Sequence, residues 1–384
     1  MRKPRPRMVL LSAACLLGSA VSIAQVPPQV RPCARQLGIA PGIYPTGNLN
    51  AITDVAGVQV GHTTVIEGDD VRTGVTAVVP HGGNLFQEKV AGAVFVGNAF
   101  GKLAGSTQVM ELGTIETPIV LTNTLSVGVA VDAVVRYTLA QSGNEQVRSV
   151  NAVVGETNDG NLNDIRGLHV SRQHVLDAIT HATSGPVPEG SVGAGTGTIN
   201  FGWKGGIGTS SRVVPGSYVI GVLAQTNYGG NLTIAGVPIF RLLSPPPLRA
   251  ALDDPATRAG ASAGDGLCML VVATDAPLDA RDLSRFAARA VFGLGRTGSS
   301  FSNGSGDYAV AFSTSPAMRS RFGETELRTR QMLPTDAVSP LFQAALEATE
   351  EAVYNALFQA TTVRSKFGTA QAIPIDRVRE LLPK

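Results

Sequence analysis

The segment Leu267-Cys268-Met269-Leu270-Val271-Val272-Ala273 is continuously apolar, with Gly264-Asp265-Gly266 before it and Thr274-Asp275 after it. An unbroken run of this length between turn signals reads as a strand buried on both faces. Gly264 and Gly266 let the backbone enter that strand through angles closed to other residues. A residue at the mouth of such a strand is held rigidly, which suits catalysis.

The rest of the chain alternates strand-like and helix-like segments. Ile52 to Thr63 reads as strand, turn, strand, and Thr73 to Val79, Val90 to Val96 and Ile119 to Asn123 as further strands. Val127 to Leu139 and Ala280 to Phe292 carry helical apolar spacing. A last helix begins at Ser339-Pro340, a cap residue followed by proline in the first turn. Alternation with many buried-type strands predicts a layered α/β fold. At 43% hydrophobic and 16% charged the chain can supply a large core. Its 384 residues suit two or three domains by length alone, but one large sandwich also reaches this size.

Residues 1–24 read as an export signal: Arg2, Lys3, Arg5 and Arg7, then an apolar stretch from Met8 to Val21, then small residues at Ser22 and Ala24. The apolar stretch is shorter than the ~20 residues a spanning helix needs. The expectation is a periplasmic protein comprising residues 25–384, with no membrane attachment after signal removal. Net charge is +2, with no basic stripe interleaved with aromatics, which argues against nucleic acid. Cys15 leaves with the signal; Cys33 and Cys268 remain, either bridged or free.

One polar loop stands out. Glu156 to Asp164 packs one glutamate, two aspartates and three asparagines into nine residues after the strand at Val153. It is either an Asx-rich turn or a substrate-binding loop, with Glu156, Asn158 and Asn161 as contacts. His169, His174 and His181 lack the helical i, i+4 pair of a metal site, so no metal is expected. The glycines of Ser191 to Thr198 have no phosphate-loop lysine spacing; tight turn packing is the expectation.

Taken in order, Asn50-Ala51-Ile52-Thr53-Asp54-Val55, Thr73-Gly74-Val75-Thr76, Glu156-Thr157-Asn158-Asp159-Gly160, Gly193-Ala194-Gly195-Thr196-Gly197, Val271 to Leu278 and Glu351-Ala352-Val353-Tyr354-Asn355 resemble one family. It is the family of β-peptidyl aminopeptidases and L-aminopeptidase/D-Ala-esterase-amidases, and the likeness spans nearly all of residues 25–384. The resemblance implies a four-layer α-β-β-α sandwich in a single large domain and a homotetramer. It also implies hydrolysis of N-terminal residues, β-amino acids included, from short peptides, amides or esters, without a cofactor. The precursor would cut itself before a serine or threonine, giving a large subunit 25–266 and a small subunit 267–384. The freed residue is the nucleophile and its own amine can act as base. Ser305 and Asp307 then match the family's serine-glycine-acid partner, and Asn227 its amide donor to the oxyanion. Asn161 lies where relatives place a tyrosine.

The nucleophile position, however, is Leu267, which has neither hydroxyl nor thiol. Cys268 could substitute only if a bulge at Gly266 turned it round, because side chains alternate along a strand. Two expectations follow: an exported aminopeptidase, or an unprocessed, catalytically inactive relative that binds peptides or only assembles.

Overall fold

In the computed structural model, which describes residues 1, 31–248 and 266–383, the apolar run is a strand over Leu267–Thr274 with every residue buried. In chain order the strands are β1 (Gln59–Glu67), β2 (Val71–Val79), β3 (Glu88–Ala99), β4 (Leu103–Ala104), β5 (Thr114–Ile115), β6 (Ile119–Asn123), β7 (Val153–Thr157), β8 (Ile199–Asn200), β9 (Trp203–Lys204), β10 (Gly206–Val213), β11 (Val219–Asn227), β12 (Leu267–Thr274), β13 (Gly306–Ser313), β14 (Ser320–Arg321), β15 (Val363–Ser365) and β16 (Gly368–Ala370). The helices among the described residues are α1 (Ser106–Leu112), α2 (Val127–Leu139), α3 (Arg172–Thr180), α4 (Ile239–Leu242), α5 (Ala280–Thr297), α6 (Ser339–Gln359) and α7 (Ile375–Leu381). The expected export signal beyond Met1, and Gly264 and Asp265 before β12, lie outside the described residues.

Two sheets stack face to face. One runs β1-β2-β6-β7-β4; the other runs β10-β11-β12-β13-β3-β14, with β5 also on β3. Each holds one parallel pair joined through a helix: β6 to β7 through α2, and β12 to β13 through α5. Such crossovers put the helix on a sheet face. Helices α2 and α3 cover the first sheet, and α5 and α6 cover the second, which makes the four-layer α-β-β-α sandwich. From Arg31 onward the chain is one compact unit.

Strand β12 sits at the centre and feeds both cores. Met269, Val271 and Ala273 pack between the sheets, whereas Cys268, Leu270 and Val272 pack under α5 and α6. This explains the absence of any polar position: neither face reaches water. Helix α6 is buried on nearly all sides and carries charge inward. Glu351 and Glu347 lie 2.7 and 3.4 Å from the buried Arg212 guanidinium of β10, and Glu351 also takes Arg35 at 2.9 Å. Asn355 donates to the Thr209 carbonyl and accepts from Ala34 N–H, both at 2.9 Å. The Glu351-to-Asn355 motif therefore straps the segment at Ala34 and Arg35, together with β10, to α6.

Three boundaries differ from the sequence expectation. Ile52–Asp54 is a 3-10 turn rather than a strand. There the Asp54 carboxylate accepts from the backbone N–H groups of Leu49 and Ala51 and from the Ser211 hydroxyl, drawing the chain out of a ladder. Helix α5 continues five residues beyond Phe292, to Thr297, because Gly293 lies against Thr349 of α6 where a larger residue would hold the helices apart. Strand β3 runs from Glu88 to Ala99, past the expected Val90 to Val96 at both ends.

Candidate active site

At its N-terminal end β12 is flanked by two of the candidate segments in one register. Asn227 of β11 pairs with Leu267, and Leu267 pairs with Gly306 of β13, the residue between Ser305 and Asp307. The Gly266 carbonyl accepts the Gly306 N–H at 3.1 Å. Gly266 is required by space as well as by angle: a Cβ there would lie 2.1 Å from the Asn227 carbonyl oxygen. The peptide bond between residues 266 and 267 is thus wedged between two neighbouring strands.

Strand alternation decides what each side chain meets. Leu267 turns into the space between the sheets, beside Tyr308 and Glu156, and all three converge on Gly101. A Cβ at Gly101 would lie 2.5 Å from Leu267 Cδ2, 3.3 Å from Tyr308 Cε2 and 3.4 Å from Glu156 Oε1. Cys268 turns the other way, into the core under α5, with Asp307 beside it on β13. The β11–β12 ladder is unbroken from Ile220↔Thr274 to Asn227↔Leu267, so the bulge that could bring Cys268 round is not there. Cys268 has no exposure, and burial pushes its thiol well above the ordinary range, with the Asp307 charge adding to this. An inert buried thiol is the chemistry this placement gives. Both Cys33 and Cys268 are free, so the bridge considered from sequence is not formed.

The acids are buried and differently supported. The Ser305 hydroxyl donates to Asp307 Oδ2 at 2.8 Å, while Asp307 Oδ1 has no partner among the described residues. Burial raises Asp307 to about 6, with the Ser305 hydrogen bond pulling the other way. Glu156 accepts Lys102 N–H at 3.1 Å and the Thr124 hydroxyl, with Lys102 Nζ at 3.6 Å. Burial raises Glu156 too, offset by Thr124 and Lys102. Its charge faces the Leu267 side of the strand, whereas Asp307 belongs to the Cys268 side.

Asn227 is held at both ends of its amide. Oδ1 accepts Ile199 N–H and Nδ2 donates to the Asn158 carbonyl, each at 2.9 Å. These partners assign the amide orientation and leave one Nδ2 hydrogen for the cleft. Asn158 contributes through its backbone; its side chain accepts Gly160 N–H in an Asx turn. Asn161 is exposed on the same loop and makes no side-chain hydrogen bond to these residues. The loop is thus an Asx turn at Asn158, while Glu156 at its start points its carboxylate toward Leu267. Lys102, Thr124 and Tyr308 escape sequence reasoning; only Tyr308, next to Asp307, carried a positional hint. Among the described residues no group of three or more His, Cys, Asp or Glu could hold a metal ion. His169 pairs with Asp164 instead, and His174 accepts Ser171 N–H at the start of α3.

Residues 50–371 match the family model "Peptidase family S58". The chain is 44% identical over 374 residues to the beta-peptidyl aminopeptidase BapA of Sphingosinicella microcystinivorans, covering 92% of each protein. It superposes at a TM-score of 0.82 on the PH0078 protein of Pyrococcus horikoshii OT3, with 44% identity over 91% of this chain and 98% of that one. The TM-score is again 0.82 for the L-aminopeptidase D-Ala-esterase/amidase of Ochrobactrum anthropi, at 36% identity over 92% of this chain and 98% of that one. That structure is described as a prototype for the serine aminopeptidases and a variant of the Ntn hydrolase fold. With the family model covering most of its length and its sheets and helices arranged as in these structures, the chain belongs to peptidase family S58, the serine-type aminopeptidases.

Proposed function

We propose that this chain is an exported, periplasmic member of the family whose cleft takes the free N-terminus of short peptides, amides or esters, β-residues included. Leu267 halts it at the unprocessed stage, so that it binds such substrates without cleaving them. The observation that carries this reading is the 266–267 peptide bond itself. Its carbonyl is held by Gly306 N–H, Asn227 flanks it on one strand and Ser305–Asp307 on the other, yet the side chain at 267 has no atom able to attack. Glu156 supplies a buried carboxylate on the Leu267 face, suited to a substrate ammonium that displaces Lys102.

With a serine at 267, the hydroxyl oxygen attacks the Gly266 carbonyl carbon. The carbon–nitrogen bond breaks, the residue 267 nitrogen takes the hydroxyl proton, and an ester joins the two segments. Water then hydrolyses that ester, releasing the Gly266 carboxylate and a free amine at 267. The unpartnered Asp307 Oδ1 is an acceptor available to that amine. Hydrolysis of substrate repeats the attack, with the amine as base.

The native chain is therefore expected to stay one polypeptide and to bind a β-dipeptide amide without turnover. Leu267→Ser is expected to split into segments 25–266 and 267–384 and to release N-terminal residues. Denaturing electrophoresis and a release assay read both. A Leu267→Ser protein that is folded but remains intact refutes the site assignment. Turnover by the native chain refutes the arrest.

The active-enzyme reading is favoured by a specific observation as well: Ser305, Asp307 and Asn227 keep their hydrogen bonds around a position with no nucleophile. The family's homotetramer is also expected of this chain, and light scattering tests it.

A further inference from the structure

We infer that Lys204 is a positioning residue for the Asn227 amide, acting through the β8–β9 hairpin. The inference rests on the reading of Asn227 as the oxyanion donor. Lys204 has no exposure. Withdrawing an ammonium from water is costly unless hydrogen bonds replace the solvent. Here Nζ donates to the carbonyls of Gly195 at 2.8 Å and Gly205 at 2.7 Å. These two residues lie on either side of the hairpin. Gly205 N–H returns to the Thr198 carbonyl at 3.1 Å, and the Thr198 hydroxyl donates to the Gly195 carbonyl at 3.1 Å. The lysine therefore closes a ring of backbone around the hairpin base.

The next residue, Ile199, donates its N–H to Asn227 Oδ1 at 2.9 Å. At the hairpin tip Phe201 N–H donates to the carbonyl of Tyr228, the residue after Asn227, at 2.7 Å. The hairpin thus fixes which end of the Asn227 amide faces the cleft. A flipped amide would present oxygen, not hydrogen, to a developing oxyanion. Burial also pulls the Lys204 ammonium down to about 7, with the Asp159 carboxylate acting to keep its charge. That is the behaviour of a cation held mainly by neutral carbonyls.

The test uses full-length chain in the Leu267→Ser background, comparing Lys204→Met, Asn227→Ala and the double variant. Lys204→Met is expected to slow self-cleavage and to lower kcat by about 10- to 100-fold, with KM within about threefold. In the Asn227→Ala background the same change is expected to do nothing further. An additive loss there means that Lys204 acts only on general structure and overturns the inference. Thr198→Val, which removes one bond of the ring, repeats the pattern at smaller size and decides the matter if Lys204→Met does not fold.

A separate readout needs no catalysis. In the native chain, with Leu267 in place, the Asn227 side-chain amide protons, assigned through Asn227→Asp, are followed by NMR exchange. Lys204→Met, or Thr198→Val, is expected to speed their exchange at least about tenfold; unchanged exchange overturns the inference. If Leu267→Ser fails to cleave, the functional proposal falls and this second readout still judges Lys204.

Discussion

Replacing Asp307 with asparagine isolates the energetic penalty of a buried acid beside the 266–267 bond. Asp307 has no exposure, one oxygen engaged by Ser305 and the other without a partner. Its ionisation moves from 3.8 to about 6 on folding. A shift of that size corresponds to about 3 kcal/mol between the two protonation states. The sign follows from linkage: the folded acid holds its proton more tightly than the unfolded one. The residue's contribution to stability is therefore fully present below 3.8, is lost as pH rises to about 6, and is flat above. Asn227, Ser305 and every other group are common to parent and variant, so their titrations cancel in the difference. Asparagine keeps the acceptor for Ser305 but buries an amide hydrogen without a partner, a pH-independent offset of about 1–3 kcal/mol. The stability of Asp307→Asn relative to parent is thus expected to rise by about 3 kcal/mol between about pH 4 and 6.5. Urea unfolding at a series of pH values measures it, with the single tryptophan, the buried Trp203, as fluorescent reporter. A difference that stays constant across the window, or falls, refutes the claim that Asp307 is a destabilised acid.

Other changes probe the surroundings of β12. Gly101→Ala is expected to destabilise the native chain by about 1–3 kcal/mol through overpacking against Leu267, and by less than about 1 kcal/mol when combined with Leu267→Ala, which empties the same space without adding a nucleophile; equal penalties in the two backgrounds mean that Leu267 does not fill the cleft. Glu351→Gln leaves Arg212 with Glu347 alone and is expected to lose about 3–5 kcal/mol, read from denaturant midpoints; a loss below about 1 kcal/mol rejects the buried network. Iodoacetamide is expected to label Cys268 at least about tenfold more slowly than Cys33 until the chain is denatured. Comparable rates, read by peptide mass spectrometry, revive Cys268 as a reactive thiol.

Much of the scaffold was legible because burial leaves a periodic trace. The strand at Leu267 and helix α2 over Val127–Leu139 sit where apolar spacing puts them, and α6 starts at Ser339-Pro340 as expected, but Ser339 is its first helical residue and caps nothing: Val338 is the N-cap and no side-chain cap bond forms. The candidate site was legible only through the family resemblance, whose motifs single out Asn227, Ser305 and Asp307; in the fold these lie at or beside strand ends. Alternation along a strand also puts Cys268 opposite Leu267 unless a bulge intervenes, and the unbroken ladder removes that exception.

Sequence alone, then, determined which strand is central, which residue types surround its mouth, and that position 267 carries no nucleophile. Tertiary structure alone decided which buried face each group shares. Glu156, Lys102 and Thr124 come to Leu267 from the first sheet and its loops, more than 100 residues earlier in the chain. Lys204 reaches Asn227 only through a hairpin braced by its own buried amine. Periodicity records that a face is covered and cannot record by what, because the partner is chosen by the collective packing of strands far apart in sequence.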